Sequence, residues 1–96
     1  MAVMNDRVDV DVVADELARL YDVSFGGKER GRYRISAKHL QRLAGRRRLY
    51  PEDNLAIARA LFERGYVLLD MESFFVVLSQ KTFASYRRVN QSAILC

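Results

Sequence analysis

Two runs rich in aromatic and β-branched side chains, Tyr66, Val67, Leu68, Leu69 and then Phe74, Phe75, Val76, Val77, Leu78, are separated only by Asp70, Met71, Glu72 and Ser73. Such side chains favour pleated backbone, and a short polar link lets two runs fold back as a hairpin. Upstream, the apolar spacing is largely helical. A hairpin following helices places the chain in the α+β class.

Residues 8–12 alternate valine with acid, but Val13, Leu17, Leu20 and Tyr21 follow i, i+4, i+7, i+8 and share one helical face. This spacing predicts a helix over about 11–22, with Asp9 or Asp11 as N-cap. A glycine-rich loop over 25–32 follows, then Arg32, Tyr33, Arg34 and Ile35, whose alternation suits a short strand. Ser36 caps a second helix over 37–44, buried through Leu40, Leu43 and Ala44 and ended by Gly45. Pro51 has the fixed φ and missing N–H that suit the first position of a third helix, and Glu52 and Asp53 complement its dipole. Leu55, Ala58, Leu61 and Phe62, with Ile57 beside them, form the expected buried face of that helix, and Gly65 closes it. Its outward face is expected to carry Glu52, Asp53, Ala56, Arg59, Ala60, Glu63 and Arg64. Residues 80–88 form a closing helical turn or two, with Phe83 and Tyr86 packing back.

The order helix, short strand, helix, helix, β-hairpin, closing turn resembles the winged helix-turn-helix superfamily over residues 11–79. The likeness rests on the Ile35-Ser36 strand-to-helix junction, on Gly45 between the paired helices and on Pro51 opening the next helix. It implies that the third helix enters the DNA major groove and that a wing at residues 70–73 touches flanking backbone. The 96 residues, half of them hydrophobic, are read as one domain over 1–96, with residues 1–10 a flexible arm, a dimerising strand or part of the first helix.

Charge is segregated along the chain. Residues 24–50 hold nine bases against the single acid Glu29, whereas residues 1–23 hold two bases against six acids and residues 51–80 two against five. The last segment, 81–96, has three bases and no acid. A concentrated positive segment is the electrostatic footprint of a nucleic-acid contact. The elements that a winged helix would lend to DNA are nevertheless acidic: Glu52 and Asp53 on the third helix, Asp70 and Glu72 at the wing. The cations lie one element earlier, where Lys38, Arg42 and Arg46 follow i, i+4, i+8 and Arg47 and Arg48 continue the stripe.

These features point to a small non-catalytic DNA-binding regulator, acting for example in transcription. Lys38, Arg42, Arg46, Arg47 and Arg48 would hold phosphates, Gln41 and His39 would lie near the groove, and Arg59 or Arg64 would contact a base. Arg30, Arg32 and Arg34 add a second basic row. The competing reading is a protein-interaction module, an inhibitor, adaptor or homodimerising scaffold, whose acidic third helix and wing meet a partner or the basic stripe of a neighbour. Ala56 and Ala60 would permit close backbone approach there.

Other chemistry finds less support. His39, the one histidine, has no acid placed to orient its ring, and Cys96 has no partner thiol, so neither catalysis nor an intrachain disulfide is expected. Asp9, Asp11, Asp15 and Glu16 lack the calcium-loop pattern, and Gly26-Gly27-Lys28 lacks the rest of a phosphate loop, so no metal or cofactor is expected. Tyr33, Tyr50, Tyr66, Phe74 and Phe75 are assigned to core packing rather than base stacking. No apolar stretch approaches the roughly 20 residues of a membrane span, and the N-terminus lacks the pattern of a secretory signal. A cytoplasmic location without membrane contact is the expectation.

Overall fold

The computed structural model describes residues 8–95. The chain forms α1 (Val10–Tyr21), β1 (Tyr33–Ser36), α2 (Ala37–Leu43), α3 (Pro51–Glu63), β2 (Tyr66–Asp70) and β3 (Phe74–Ser79), then a 3-10 turn (Gln80–Phe83) and the one-turn α4 (Gln91–Ile94). The architecture is mixed α+β, with a small antiparallel sheet in the order β1-β3-β2. Cys96 and residues 1–7 of the anticipated arm lie outside the described residues. Val8, by contrast, is buried against the core.

Register follows from which side chains of β3 must be inside. Phe75 and Val77 are buried, and the pairings Tyr33 with Val77 and Asp70 with Phe75 set both neighbouring strands against them. Leu17 of α1, Leu40 of α2 and Ile57 and Leu61 of α3 complete the core from the helical side. Tyr33 ties the layers together, its hydroxyl donating to the Leu17 carbonyl at 2.6 Å. Burial pushes the Tyr33 phenol well above its ordinary range, so it stays a neutral donor.

The observed α3 is turned from the orientation that its apolar spacing predicts. Ile57, Ala60 and Leu61 are buried, while Leu55 and Phe62 stand 62% and 58% exposed. The difference amounts to about one residue of arc, roughly 100°. Two features explain it. Ala60, expected outside, has a methyl group small enough for α1 to pack closely. Arg64 then reaches across to α1, bonding Asp15 at 2.7 Å, Asp11 at 3.2 Å and the Ala60 carbonyl at 2.8 Å. Ala60 is therefore taken up mainly by packing within the domain, and Ala56 is the more open of the two small residues.

The C-terminal segment also departs from expectation. Phe83 and Tyr86 pack edge to face on each other with centroids 5.2 Å apart, but they do not return to the core, and every residue over 83–95 is exposed.

Candidate nucleic-acid interface

Helix α2 is short, and its ends are fixed by local bonds. The Ser36 hydroxyl accepts from the His39 N–H at 3.0 Å, which satisfies one of the free donors at the helix start. At the other end Gly45, at φ 70°, takes the left-handed conformation that a side chain resists. The Gly45 N–H then bonds the Arg42 carbonyl at 3.0 Å, and the Arg46 N–H bonds the Gln41 carbonyl at 2.9 Å. This paired closure ends α2 and satisfies two of the carbonyls left free in its last turn.

Leu40 anchors the inner side of α2, leaving Lys38, His39 and Arg42 exposed, with Gln41 and Arg46 half-buried. Arg47 and Arg48 are exposed, and the Arg48 guanidinium lies over the Tyr50 ring, 5.9 Å from its centroid. None of Lys38, Arg42, Arg46, Arg47 or Arg48 forms an ion pair with a described carboxylate. Several acids of the flanking segments are engaged with other groups. Asp11 and Asp15 hold Arg64, Asp22 holds Arg30 at 3.1 Å, and Glu16 holds Arg19, a contact that lowers the Glu16 carboxyl. Asp9 caps α1 by accepting from the Val12 N–H, and Asp53 turns back to accept from the Tyr50 N–H at 2.9 Å.

The second basic row meets the first. Arg34 on the outer face of β1 lies over the Phe74 ring and lines two adjoining hollows. One, of about 640 Å3, is bordered by Lys28, Arg30, Arg32 and Arg34. The other, of about 520 Å3, has Phe25, Ile35 and Leu43 in its floor and Arg34, His39 and Arg42 at its edge. Cations from the loop, from β1 and from α2 thus border one continuous surface.

Three expected site residues stand apart from that surface. Arg64 is committed to Asp11 and Asp15 with its side chain only 25% exposed, so it lies against α1 rather than among the basic set. Arg59 is exposed, but it shares its groove with Asp11, Glu52 and Glu63 rather than with the basic set. Gln41 borders a small hollow with Asp70 and Glu72 of the hairpin, so the amide lies on the acidic side of α2. Sequence spacing missed the convergence of Arg34 with Arg42, because it depends on how β1 sits beside α2.

The hairpin tip is tight and acidic. The Glu72 N–H donates to the Asp70 carboxylate at 2.8 Å, and Glu72 itself sits at φ 72°. No cluster of metal-ligating side chains occurs among the described residues, nor is any described helix long and apolar enough to cross a membrane. No family model, curated protein or solved structure matches the chain.

Proposed function

We propose that this chain is a small, non-catalytic DNA-binding protein of winged-helix type that grips the phosphate backbone through α2 and the connection after it. The observation that carries the reading is the charge partition in space. The cations of α2 and residues 46–48 have no described carboxylate partner, whereas Asp11, Asp15 and Glu16 of α1 are paired with Arg64 and Arg19, outside that basic segment. Arg32 and Arg34, with Lys28, extend the same surface toward a second strand of phosphates. The sheet order and the helix pair closed at Gly45 are compatible with the winged helix, although the groove-facing roles shift from α3 and the wing to α2.

Recognition of this type is sequence-tolerant. Arginine and lysine on phosphates set position and affinity without reading bases. The exposed side of α3 sets Glu52 and Glu63, with the apolar Leu55 and Phe62, against the single exposed base Arg59, a poor surface for a polyanion. A regulatory role, such as occupying or organising a stretch of duplex in the cytoplasm, follows from that mode of binding. Titration of labelled duplex with the native chain and with Arg42→Ala/Arg46→Ala/Arg48→Ala tests it. Tight low-salt binding by the native chain and strong loss in the variant are expected, and equal binding by both rejects the reading.

A further inference from the structure

The segment after β3 has a composition that its own domain leaves unused. Phe83, Tyr86, Val89, Ile94 and Leu95 are 36%, 60%, 75%, 71% and 70% exposed. The segment is nevertheless shaped, for the Asn90 side chain accepts from the Ala93 N–H at 3.0 Å and opens α4. A single helical turn is unstable by itself, and so many unburied apolar side chains on one short segment mark a contact surface. Its charge is one-sided: Lys81, Arg87 and Arg88 with no acid over residues 81–96.

A surface of opposite character lies between α1 and α3. It is a groove of about 360 Å3 with Val10, Leu55 and Ala56 in its floor and Asp11, Glu52 and Glu63 at its edges, against the lone base Arg59. Phe62, two helical turns beyond Leu55 on the same side of α3, prolongs the apolar strip.

We infer that the C-terminal segment of one copy packs along the α1–α3 groove of a second copy, and that two copies exchange these segments to form a twofold dimer. Every chain carries one segment and one groove, so a reciprocal exchange closes without leaving a free end. The five apolar side chains from each of two segments contribute on the order of 1,000 Å2 before the facing grooves are counted, which reaches the range of specific interfaces. Arg87 and Arg88 meet Glu52 and Glu63, while Tyr86, Val89, Ile94 and Leu95 cover Leu55 and Phe62. A duplex is the poorer occupant for the segment, since phosphates give apolar side chains nothing to bury against. The basic face of a neighbour is poorer still, because like charges would oppose.

Light scattering on the full chain without nucleic acid, over a dilution series, tests the inference independently of DNA binding. A mass of twice the 11.1 kDa chain is expected. Tyr86→Ser/Ile94→Ser should raise the dimer dissociation constant at least roughly tenfold, with the far-ultraviolet dichroism of the folded domain retained. Arg87→Glu/Arg88→Glu and Glu52→Arg/Glu63→Arg should each give monomers, and an equimolar mixture of the two should recover the dimer mass, because both contacts are then complementary. A native chain that stays monomeric, a dimer indifferent to the segment substitutions, or charge variants that fail to complement each other would overturn it. So would a monomer in which the segment substitutions weaken only duplex binding, since the segment would then belong to the nucleic acid.

Discussion

Replacing Ile57 and Phe62 by alanine in separate variants tests how α3 is turned, and with it which side chains the helix offers to a partner. Ile57 is fully buried at 0% exposure among Leu17, Leu40 and Leu61. Its truncation removes three carbons, about 2.4 kcal/mol of transfer at ~0.8 kcal/mol each, and the cavity left behind raises the total to about 3–4 kcal/mol. For a domain of this size that lowers the melting temperature by about 12–30 °C. Phe62 is 58% exposed, so most of its ring has little burial to lose, and the gain in helix propensity offsets part of the rest. Its truncation should cost less than about 1 kcal/mol, in the range of ordinary surface substitutions. Urea unfolding followed by circular dichroism measures both. If Phe62→Ala costs as much as Ile57→Ala, the helix sits in the orientation that its leucine and phenylalanine spacing predicts, and the exposed strip of Leu55 and Phe62 does not exist.

Further outcomes follow from the same geometry. The five phosphate contacts of α2 and its connection contribute about −4.5 to the slope of log affinity against log salt, a loss of about 500-fold between 50 and 200 mM, and the triple arginine variant should make the slope shallower by about 2.7. Fluorescence anisotropy on a labelled duplex reads both slopes, and an unchanged slope in the variant contradicts the assignment of Arg42, Arg46 and Arg48. Arg64→Gln should lower the melting temperature by loosening α3 from Asp11 and Asp15 while leaving that slope as it is; a flattened slope would return Arg64 to the contact surface. Glu72→Gly should stabilise the chain by about 0.5–1 kcal/mol in chemical unfolding, because glycine accepts the positive φ that glutamate resists, and a destabilised variant would count against the tight turn.

Much of the fold is written in local chemistry. Asp9, Ser36 and Pro51 mark the helix starts, Gly45 and Gly65 mark helix ends, and the aromatic and β-branched runs mark the hairpin, because each of these signals acts within a few residues. The facing of α3 is not legible there, since Leu61 fits either orientation and periodicity alone allows Leu55 and Phe62 or Ile57 and Ala60 to go inside with it. A pairing across 49 residues, Arg64 with Asp15, helps settle it, and no local pattern announces such a contact. The candidate site divides in the same way. The stripe Lys38, Arg42 is visible as i, i+4, whereas the junction of Arg34 with Arg42 and the separation of Gln41 and Arg59 from the basic face arise from tertiary placement. The exposure of the C-terminal segment is equally illegible, because Phe83 and Tyr86 have the composition of core residues and only the tertiary placement leaves them outside.

Backbone amide mapping by nuclear magnetic resonance, with a short duplex added at low salt, tests most directly whether α2 and its following connection form the contact face. Shifts should concentrate over residues 37–48 and at Arg32 and Arg34, leaving Glu52, Glu63 and the turn at 70–73 in place. Shifts gathered on α3 and the hairpin tip, with α2 silent, would contradict the account.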